Sequence, residues 1–494
     1  MSTAPSDSAP QAGSRLNGRV IAISLGAALG GFLFGFDSSV INGAVDAIQG
    51  EWELSDAFTG FAVASALLGC ALGAWFAGSV ANKYGRIRVM VLASGLFLAS
   101  AVGSGLAFGI WDLVAWRFLG GLAVGAASVI APAYIAEVSP SKFRGRLGSL
   151  QQLAIVTGIF TAILTGQLFA GAAGGADNEL WLGLDAWRWM FMAEAIPAVI
   201  YGFAALRLPE SPRYLVSKHR TDEAAEVLRL FTGVQDVDGT IDEIRESVGE
   251  DERRSLGDLR GHAFGLKPIV WTGILLSVFQ QFVGINVIFY YSTTLWKSVG
   301  FDEDQAFLTS TITSITNIVV TIVAILLVDR IGRRLLLLIG SAGMTLSLGI
   351  MAIAFTQAIT DAKGDVTDFA GSWGTIAVVG ANAFVVFFGA TWGPVVWVLL
   401  GEMFPNKIRA SALAVAAAAQ WLANWLITVS FPQFASIGLT FAYGFYASMA
   451  LLSLIFVYFR VPETKGMELE EMSADVSVKR GKFVRSTAGV ADVG

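Results

Sequence analysis

Cysteine and histidine are almost missing from this chain. Its 494 residues hold one cysteine, Cys70, and two histidines, His219 and His262. One thiol has no partner for a disulfide and no CxxC pair for a metal. Two histidines are too few for a histidine-based metal centre, so no metal or cofactor is expected. Charge is scarce as well, at 15% of residues, where soluble domains carry about 25%. The net charge is −6, with no basic excess, so nucleic-acid binding has no electrostatic support. No GxxxxGK[ST] motif is present, which removes the phosphate cradle of an ATP-driven pump. No GxSxG or HExxH appears either, so nothing suggests an enzyme.

What the chain has in quantity is apolar sequence: 54% hydrophobic residues and a mean hydropathy of +0.63. A membrane helix needs about 20 apolar residues to cross ~30 Å of hydrocarbon. Uncharged runs of that length are Ala57–Ala81, Val89–Ile110, Leu147–Ala176, Pro268–Trp296, Ala306–Val328, Leu335–Thr360 and Phe369–Gly401. Ala410–Phe459 is long enough for two and is expected to divide at Phe431-Pro432, because proline ends a helix. Val20–Val45, Leu113–Ile135 and Trp187–Leu206 span while carrying a charge or two. The sum is an all-α membrane protein of twelve transmembrane helices.

Basic residues orient it. With the N-terminus in the cytoplasm, 29 of the 33 lysines and arginines fall on the cytoplasmic side, the bias that sets topology. Both termini are therefore expected inside, in a multi-pass plasma-membrane protein. The first 14 residues have no basic n-region or cleavage pattern. The absence of any N-x-[ST] sequon fits a bacterial source.

The expected organisation is a cytoplasmic tail (1–18), a six-helix bundle (19–207), an intracellular helical segment (208–267), a second six-helix bundle (268–460) and a cytoplasmic tail (461–494). In the middle segment Thr240-x-x-Glu243 reads as a capping box. The two halves repeat each other. Glu137-x-x-Pro140-x-Lys142-x-Arg144 returns as Glu402-x-x-Pro405-x-Lys407-x-Arg409. Asn82-Lys-Tyr-Gly85-Arg86 returns as Asp329-Arg-Ile-Gly332-Arg333, and Pro209-Glu210-Ser-Pro as Pro462-Glu463-Thr-Lys. Paired bundles about a central ligand are a transporter architecture. The repeated charges, Arg86, Glu137, Arg144, Glu210 and Arg213 with Arg333, Glu402, Arg409 and Glu463, are expected to form salt bridges across the two bundles. These would close an inner gate.

An ionisable residue inside a span is expensive and marks function. Three stand out: Asp37, Arg117 and Glu194. At ~1.5 Å per residue, Asp37 and Arg117 both fall in the outer half of the membrane. An Asp–Arg pair there can act as a proton switch, because protonating the acid frees the base. Glu194 reads either as a second proton site or as a helix-packing hydrogen bond. Neutral amides cluster near mid-membrane: Gln280, Gln281 and Asn286 around Gly284, then Gln420 and Asn424, with Gln152 at the start of the fifth span. Amides both donate and accept, which suits sugar hydroxyls. Trp392 and Trp421 offer flat faces for a pyranose ring. Gly393-Pro394 interrupts the tenth span, and Gly26/Gly30, Gly69/Gly73 and Gly121/Gly125 allow close helix contact.

With these residues in view, the chain resembles the sugar porter family of the major facilitator superfamily over about residues 19–472. The resemblance is carried by Phe34-Gly-Phe-Asp37, Arg117-Phe-Leu-Gly-Gly, Tyr134-Ile-Ala-Glu137-Val-Ser-Pro140, Pro209-Glu-Ser-Pro-Arg213-Tyr-Leu, Gln280-Gln-Phe-Val-Gly-Ile-Asn286 and Pro462-Glu-Thr-Lys-Gly466. It is nearest to the bacterial sugar–proton symporters of xylose and glucose type. That implies alternating access by two bundles and a monosaccharide bound between them. It implies sugar contacts at Gln152, Gln280, Gln281, Asn286, Trp392 and Gln420, and matches Phe34, Tyr290, Tyr291 and Asn317 to further pocket positions. Asp37 matches the acid of proton-coupled members, and Arg117 its partner. Asn82 departs from the acid usual at that place, which touches the inner gate's details.

The expected function is proton-coupled uptake of a monosaccharide, a glucose-like hexose first and xylose or myo-inositol next. The expected partners are the sugar, protons and the lipid bilayer, and the expected state is a monomer. A facilitator without coupling and a transporter-like sugar sensor are the alternatives. Asp37 argues against the first, and the short tail after Arg460 against the second.

Overall fold

The computed structural model describes residues 18–140, 144–232, 236–251, 256–298, 300–360, 366–405, 408–464, 476–479 and 482–485. Residues 1–17, most of 461–494, Lys142 and Lys407 lie outside the described residues. Twelve helices among those described are long and apolar enough to cross a membrane. In chain order, spans 1 to 6 are Gly18–Gly43, Asp56–Tyr84, Arg86–Gly105, Ile110–Val138, Leu147–Ala173 and Ala186–Arg207. Spans 7 to 12 are Pro268–Tyr290, Glu303–Leu327, Arg333–Phe355, Trp373–Met403, Ser411–Ile437 and Leu439–Arg460. Helix is what hydrocarbon demands, because each backbone N–H and C=O finds its partner within the same segment. Apolar side chains such as Leu72, Trp75, Phe76, Leu346 and Val379 stand exposed on these helices, as lipid-facing surfaces require. Residues 18–207 and 268–460 are called the first and second halves below.

Two boundaries differ from expectation. Span 1 ends at Gly43 in a 3-10 turn, Ile41–Gly43, and a separate short helix, Val45–Glu51, follows. Spans 11 and 12 divide at Gly438, not at Pro432. Pro432 has no N–H to bond the Thr428 carbonyl one turn earlier. The Tyr291 hydroxyl donates to that carbonyl instead, at 3.2 Å, so the helix Arg409–Ile437 runs on through its proline. It stops at Gly438, whose φ of 138° suits glycine alone. Three two-stranded hairpins also occur in the connections and the C-terminal segment, at 179–185, 358–369 and 476–485.

Glycine sets the closest helix contacts. A β-carbon on Gly69 or Gly73 of span 2 would run into the carbonyls of Phe118 or Leu122 in span 4. One on Gly121 or Gly125 would run into those of Ala66 or Cys70 in return. Gly35 and Gly158 do the same for spans 1 and 5, with Ile155 and Phe32 opposite. Helices without side chains between them gain dispersion contacts that lipid cannot supply. Across the halves, span 2 packs on span 11 and span 5 on span 8.

The segment 208–267 folds into short helices at Pro212–Ser217, Thr221–Val227 and Val237–Asp251. They share a small core of Leu215, Val216, Ala224, Val227, Leu228, Val237 and Ile241. Asp236, not Thr240, starts the third helix: its carboxylate accepts from Gly239 N at 2.9 Å, while the Thr240 hydroxyl bonds back to the Asp236 carbonyl. Thr240 already lies inside the first turn, where its hydroxyl has a nearer acceptor than a cap would offer.

Candidate functional site

The three ionisable residues of the spans meet in the first half. Arg117 Nη1 lies 2.9 Å from Asp37 Oδ1 and 3.0 Å from the Asp37 carbonyl oxygen. Asp37, Arg117 and Glu194 are exposed by 1%, 2% and 1%, so water does not screen them. Glu194 is a second buried acid in this half, and its Oε1 has no hydrogen-bond partner among the described residues. Glu194 sits where span 6 divides into Ala186–Ala193 and Ala195–Arg207. Pro197 explains the division, since it leaves the Ala193 carbonyl without its helical donor. Gly120 makes room for the carboxylate: a β-carbon there would come to 2.9 Å from Asp37 Oδ1. The guanidinium also lies over the Phe191 ring, 5.6 Å from its centroid. One guanidinium balances one carboxylate, so two buried acids beside one base make an acid–base cluster of the kind whose charge responds to protonation.

The amides meet in the second half. Span 7 breaks at Gly284, whose φ is 86°, between the helices Pro268–Phe282 and Ile285–Tyr290. The break lets Asn286 Nδ2 turn back to donate to Gln281 Oε1 at 2.5 Å. Gln281 Nε2 donates in turn to Gln280 Oε1 at 3.4 Å. Gln280 Nε2 then donates to the carbonyls of Trp392 and Gly393 at 2.9 and 3.3 Å. Trp392 ends the wide π-helical turn Phe388–Trp392, and Gly393 opens the helix Gly393–Met403 that follows it.

Span 11 brings Gln420, Trp421 and Asn424 to the same region. Trp421 packs on Phe34 of span 1, ring centroids 5.7 Å apart, which joins the halves beside the amides. Asn424 Oδ1 accepts from the Thr428 hydroxyl at 3.2 Å. Asn317 of span 8 lies against Gly389 of the π turn. Gln152 is half-buried, whereas its neighbour Gln151 is folded flat against Gly31. Two expected sugar contacts have other partners in this conformation. Trp392 is fully enclosed, and its indole N–H donates to Leu337 O and Ser341 Oγ at 3.1 and 3.0 Å. Tyr291 is enclosed as well, its hydroxyl held by the carbonyl that Pro432 freed.

The repeated charges gather at one end of the helices, and each half builds the same lattice. Arg86 grips Glu137 through Nε and Nη2, at 2.9 and 2.8 Å. Glu210 accepts from the backbone N–H groups of Arg86 and Ile87 at 3.0 and 3.3 Å. In the second half Arg333 grips Glu402 at 3.0 and 2.8 Å. Glu463 accepts from the N–H groups of Arg333 and Arg334 at 3.0 and 3.1 Å. Each glutamate thus caps the positive N-terminus of a span. This corrects the expectation of bridges across the bundles: both arginine–glutamate pairs stay within one half. The partner in each case is 51 or 69 residues on, carried by an adjoining helix of the same half. Arg409 Nε donates to the Phe404 carbonyl at 3.1 Å. Arg213 is half-buried in the helix Pro212–Ser217, and the side chain of Arg144 lies outside the described residues.

The halves are tied at the opposite end, by residues the sequence reading did not select. Asn42, in the 3-10 turn that ends span 1, accepts from Ser292 and from Thr293 N, both at 3.1 Å, and bonds the Thr293 hydroxyl through its carbonyl. Asp46 accepts from Thr294 Oγ1 at 2.7 Å and pairs with Lys297 Nζ at 2.9 Å. Glu303 accepts from Ala176 N at 3.1 Å. A cavity of about 390 Å³ opens beside these ties, lined by Asp46, Thr293, Lys297 and Glu303 among others. Burial lowers the basicity of Lys297, but the carboxylates of Asp46, Glu303 and Asp177 outweigh it and raise its pKa above the ordinary lysine value. The available signal was weak: an acid at position 46 and a lysine at 297, each just beyond an apolar run.

Comparison with known proteins places this geometry. The family model described as sugar (and other) transporter matches residues 23–476. A glucose transport protein of Synechocystis sp. is 55% identical over 455 residues, 92% of this chain and 97% of that protein. The D-xylose-proton symporter of Escherichia coli is 37% identical over 489 residues, 92% and 95% of the two chains. Among solved structures, a partially occluded inward-open conformation of the E. coli xylose transporter XylE superposes with a TM-score of 0.78 at 34% identity, covering 92% of this chain and all of the other. The same symporter bound to 6-bromo-6-deoxy-D-glucose gives 0.76 at 36% identity, covering 92% and 98%.

Proposed function

The chain belongs to the sugar (and other) transporter family, and on that premise we propose that it is a sugar–proton symporter that takes up a glucose-like hexose. It is a multi-pass membrane protein and a sugar transporter, not an enzyme. The observation that carries the coupling is the buried ion pair of Asp37 and Arg117, with Glu194 as a second buried acid in the same half. A facilitator has no use for an acid–base cluster removed from water. The ranking of glucose first rests on the 55% identical glucose transport protein, with xylose next from the 37% identical symporter.

The cycle follows from the geometry. The end that carries Arg86, Glu137, Arg333 and Glu402 faces the cytoplasm, as the basic bias requires. In the conformation described, the ties between Asn42, Asp46 and the residues 292–297 close the other end. When that end opens, sugar reaches Gln280, Gln281, Asn286, Gln420 and Asn424, whose amides exchange their mutual bonds for its hydroxyls. Gln152, Phe34 and Trp421 complete the wall from the other side of the seam. Protonation of Asp37 loosens Arg117, and span 4 is freed from span 1. The halves then rock about the sugar, and proton and sugar leave together on the cytoplasmic side. The helical segment 208–267 and both tails lie on that side.

The test uses purified protein in liposomes that enclose a pH-sensitive dye, with no membrane potential. Glucose added outside is expected to acidify the interior, and xylose to do so more weakly. Labelled glucose entering without acidification would overturn the coupling. Entry of no sugar at all would overturn the substrate class.

A further inference from the structure

Asp46 stands in the first turn of the short helix Val45–Glu51 in the first half. Its two carboxylate oxygens hold one short helix of the second half, Ser292–Ser298, at two points: Oδ1 takes Thr294 and Oδ2 takes Lys297. The pairs Arg86–Glu137 and Arg333–Glu402 each stay inside one half, so neither resists separation of the halves. Asp46–Lys297 does. Each of its side chains is 35% exposed, so water and salt reach it. Asp46 and Lys297 line the 390 Å³ cavity together with Glu51, Asp177, Asp185 and Glu303. Glu51 is taken by Arg188 at 2.6 Å, and the ammonium of Lys297 among Asp46, Glu303 and Asp177 keeps its charge. Of these acids, Glu303 begins span 8 in the same half as Lys297, whereas Asp46 and Asp177 belong to the other.

We propose that the Asp46–Lys297 ion pair is the electrostatic latch of the outer gate, made each time the transporter closes to the outside and broken each time it opens. On opening, Lys297 leaves Asp46 and Asp177 but keeps Glu303, which travels with it. The lysine is therefore never stranded without a counter-charge, and the latch gives way without burying an unpaired charge. A half-exposed pair is also weakened by salt within a Debye length, so ionic strength outside the cell tunes how readily the gate opens. The proposal rests on the alternating-access reading above and concerns one step of it.

The near-absence of cysteine supplies the test. In a Cys70→Ala background, Ser314→Cys places a thiol in span 8. Ser314 is fully buried, one turn from Thr311, whose hydroxyl bonds Gln167 of span 5 across the seam at 2.8 Å. A membrane-impermeant maleimide added outside reaches that thiol when the outer gate opens. Asp46→Asn and Lys297→Gln are each expected to raise the labelling rate roughly two- to fivefold, the range for an exposed ion pair. Exchanging the charges, Asp46→Lys with Lys297→Asp, is expected to bring the rate back toward the parent. Raising NaCl to about 1 M should speed labelling of the parent and leave the single variants unchanged. Equal rates in parent and variants, or a parent insensitive to salt, overturn the latch. The salt series on the parent decides alone should a variant fail to fold. Glucose added to the parent reports on alternating access separately: loss of that response with the salt effect intact goes against the transport reading and not against the latch.

Discussion

Arg117 holds Asp37 twice with one nitrogen, Nη1, which sits 2.9 Å from the carboxylate and 3.0 Å from the carbonyl oxygen of the same residue. The second bond matters as much as the first. It ties the guanidinium to the backbone of span 1, so a change of charge on Asp37 is felt by the packing of span 1 against span 4.

Asp37→Asn removes the titrating acid and keeps its size. Sugar exchange across liposomes with glucose on both sides is expected to continue within a fewfold of the parent. Accumulation driven by a proton gradient is expected to fall to the equilibrium level. Accumulation that survives would place the coupling elsewhere.

Arg117→Leu leaves two buried acids without their cation. Breaking a buried pair from one side costs about 3–5 kcal/mol, so a clear drop in thermal stability in detergent is expected. Adding Asp37→Asn to Arg117→Leu should recover part of that loss, because the neutral amide needs no counter-charge. An Arg117→Leu protein as stable as the parent would show that the pair contributes nothing to folding.

Gln280→Leu removes the amide that bonds the Trp392 and Gly393 carbonyls and accepts from Gln281. Each lost buried hydrogen bond costs about 0.5–1.5 kcal/mol. Lower thermal stability and weaker glucose binding by calorimetry are expected together. Loss of binding with full stability would make Gln280 a sugar contact alone.

The latch has a pH dependence of known sign. The carboxylates around Lys297 raise its pKa above the usual lysine value in the folded protein. Its stabilising contribution is therefore complete below the unfolded value of about 10.4 and is lost as pH rises through the folded value. Maleimide reacts with the thiolate, whose fraction itself climbs as pH passes about 8.5, so the reading is the Ser314→Cys labelling rate of the parent divided by that of Lys297→Gln at each pH. That ratio is expected to stay low and constant from roughly pH 7 to 9 and to rise toward one only at higher pH. A ratio that rises between roughly pH 7 and 9 would contradict this, since Lys297 is charged throughout.

Asp37, Arg117 and Glu194 could be found from the sequence because a charge inside an apolar run is rare on its own terms. Their meeting could not, since Asp37 and Arg117 lie 80 residues apart. Gln280, Gln281 and Asn286 were legible for the same reason. Their bonds to one another depend on the turn at Gly284, and the Gln280 bonds to span 10 depend on the π turn. Trp392 illustrates the limit: an aromatic beside Gly393-Pro394 reads as a ring-binding face, yet packing turned its N–H to Ser341. The repeated Arg and Glu motifs were plain, but whether Arg86 reaches within or across a half is a question of neighbours in space. Asn42, Ser292 and Thr293 left no trace at all, because small polar residues at the end of a span are ordinary.

Hydropathy, charge bias and the internal repeat are sums over neighbouring residues along the chain. The sequence by itself therefore determined the twelve spans, the expected orientation and the sets of residues that carry charge or amides. Which carboxylate meets which cation, which carbonyl Pro432 leaves for Tyr291, and where the halves are tied depend on helices far apart in the chain brought to within 3 or 4 Å by packing. Those choices belong to the tertiary structure, because only there do the orphaned donors and acceptors of one helix find their partners on another.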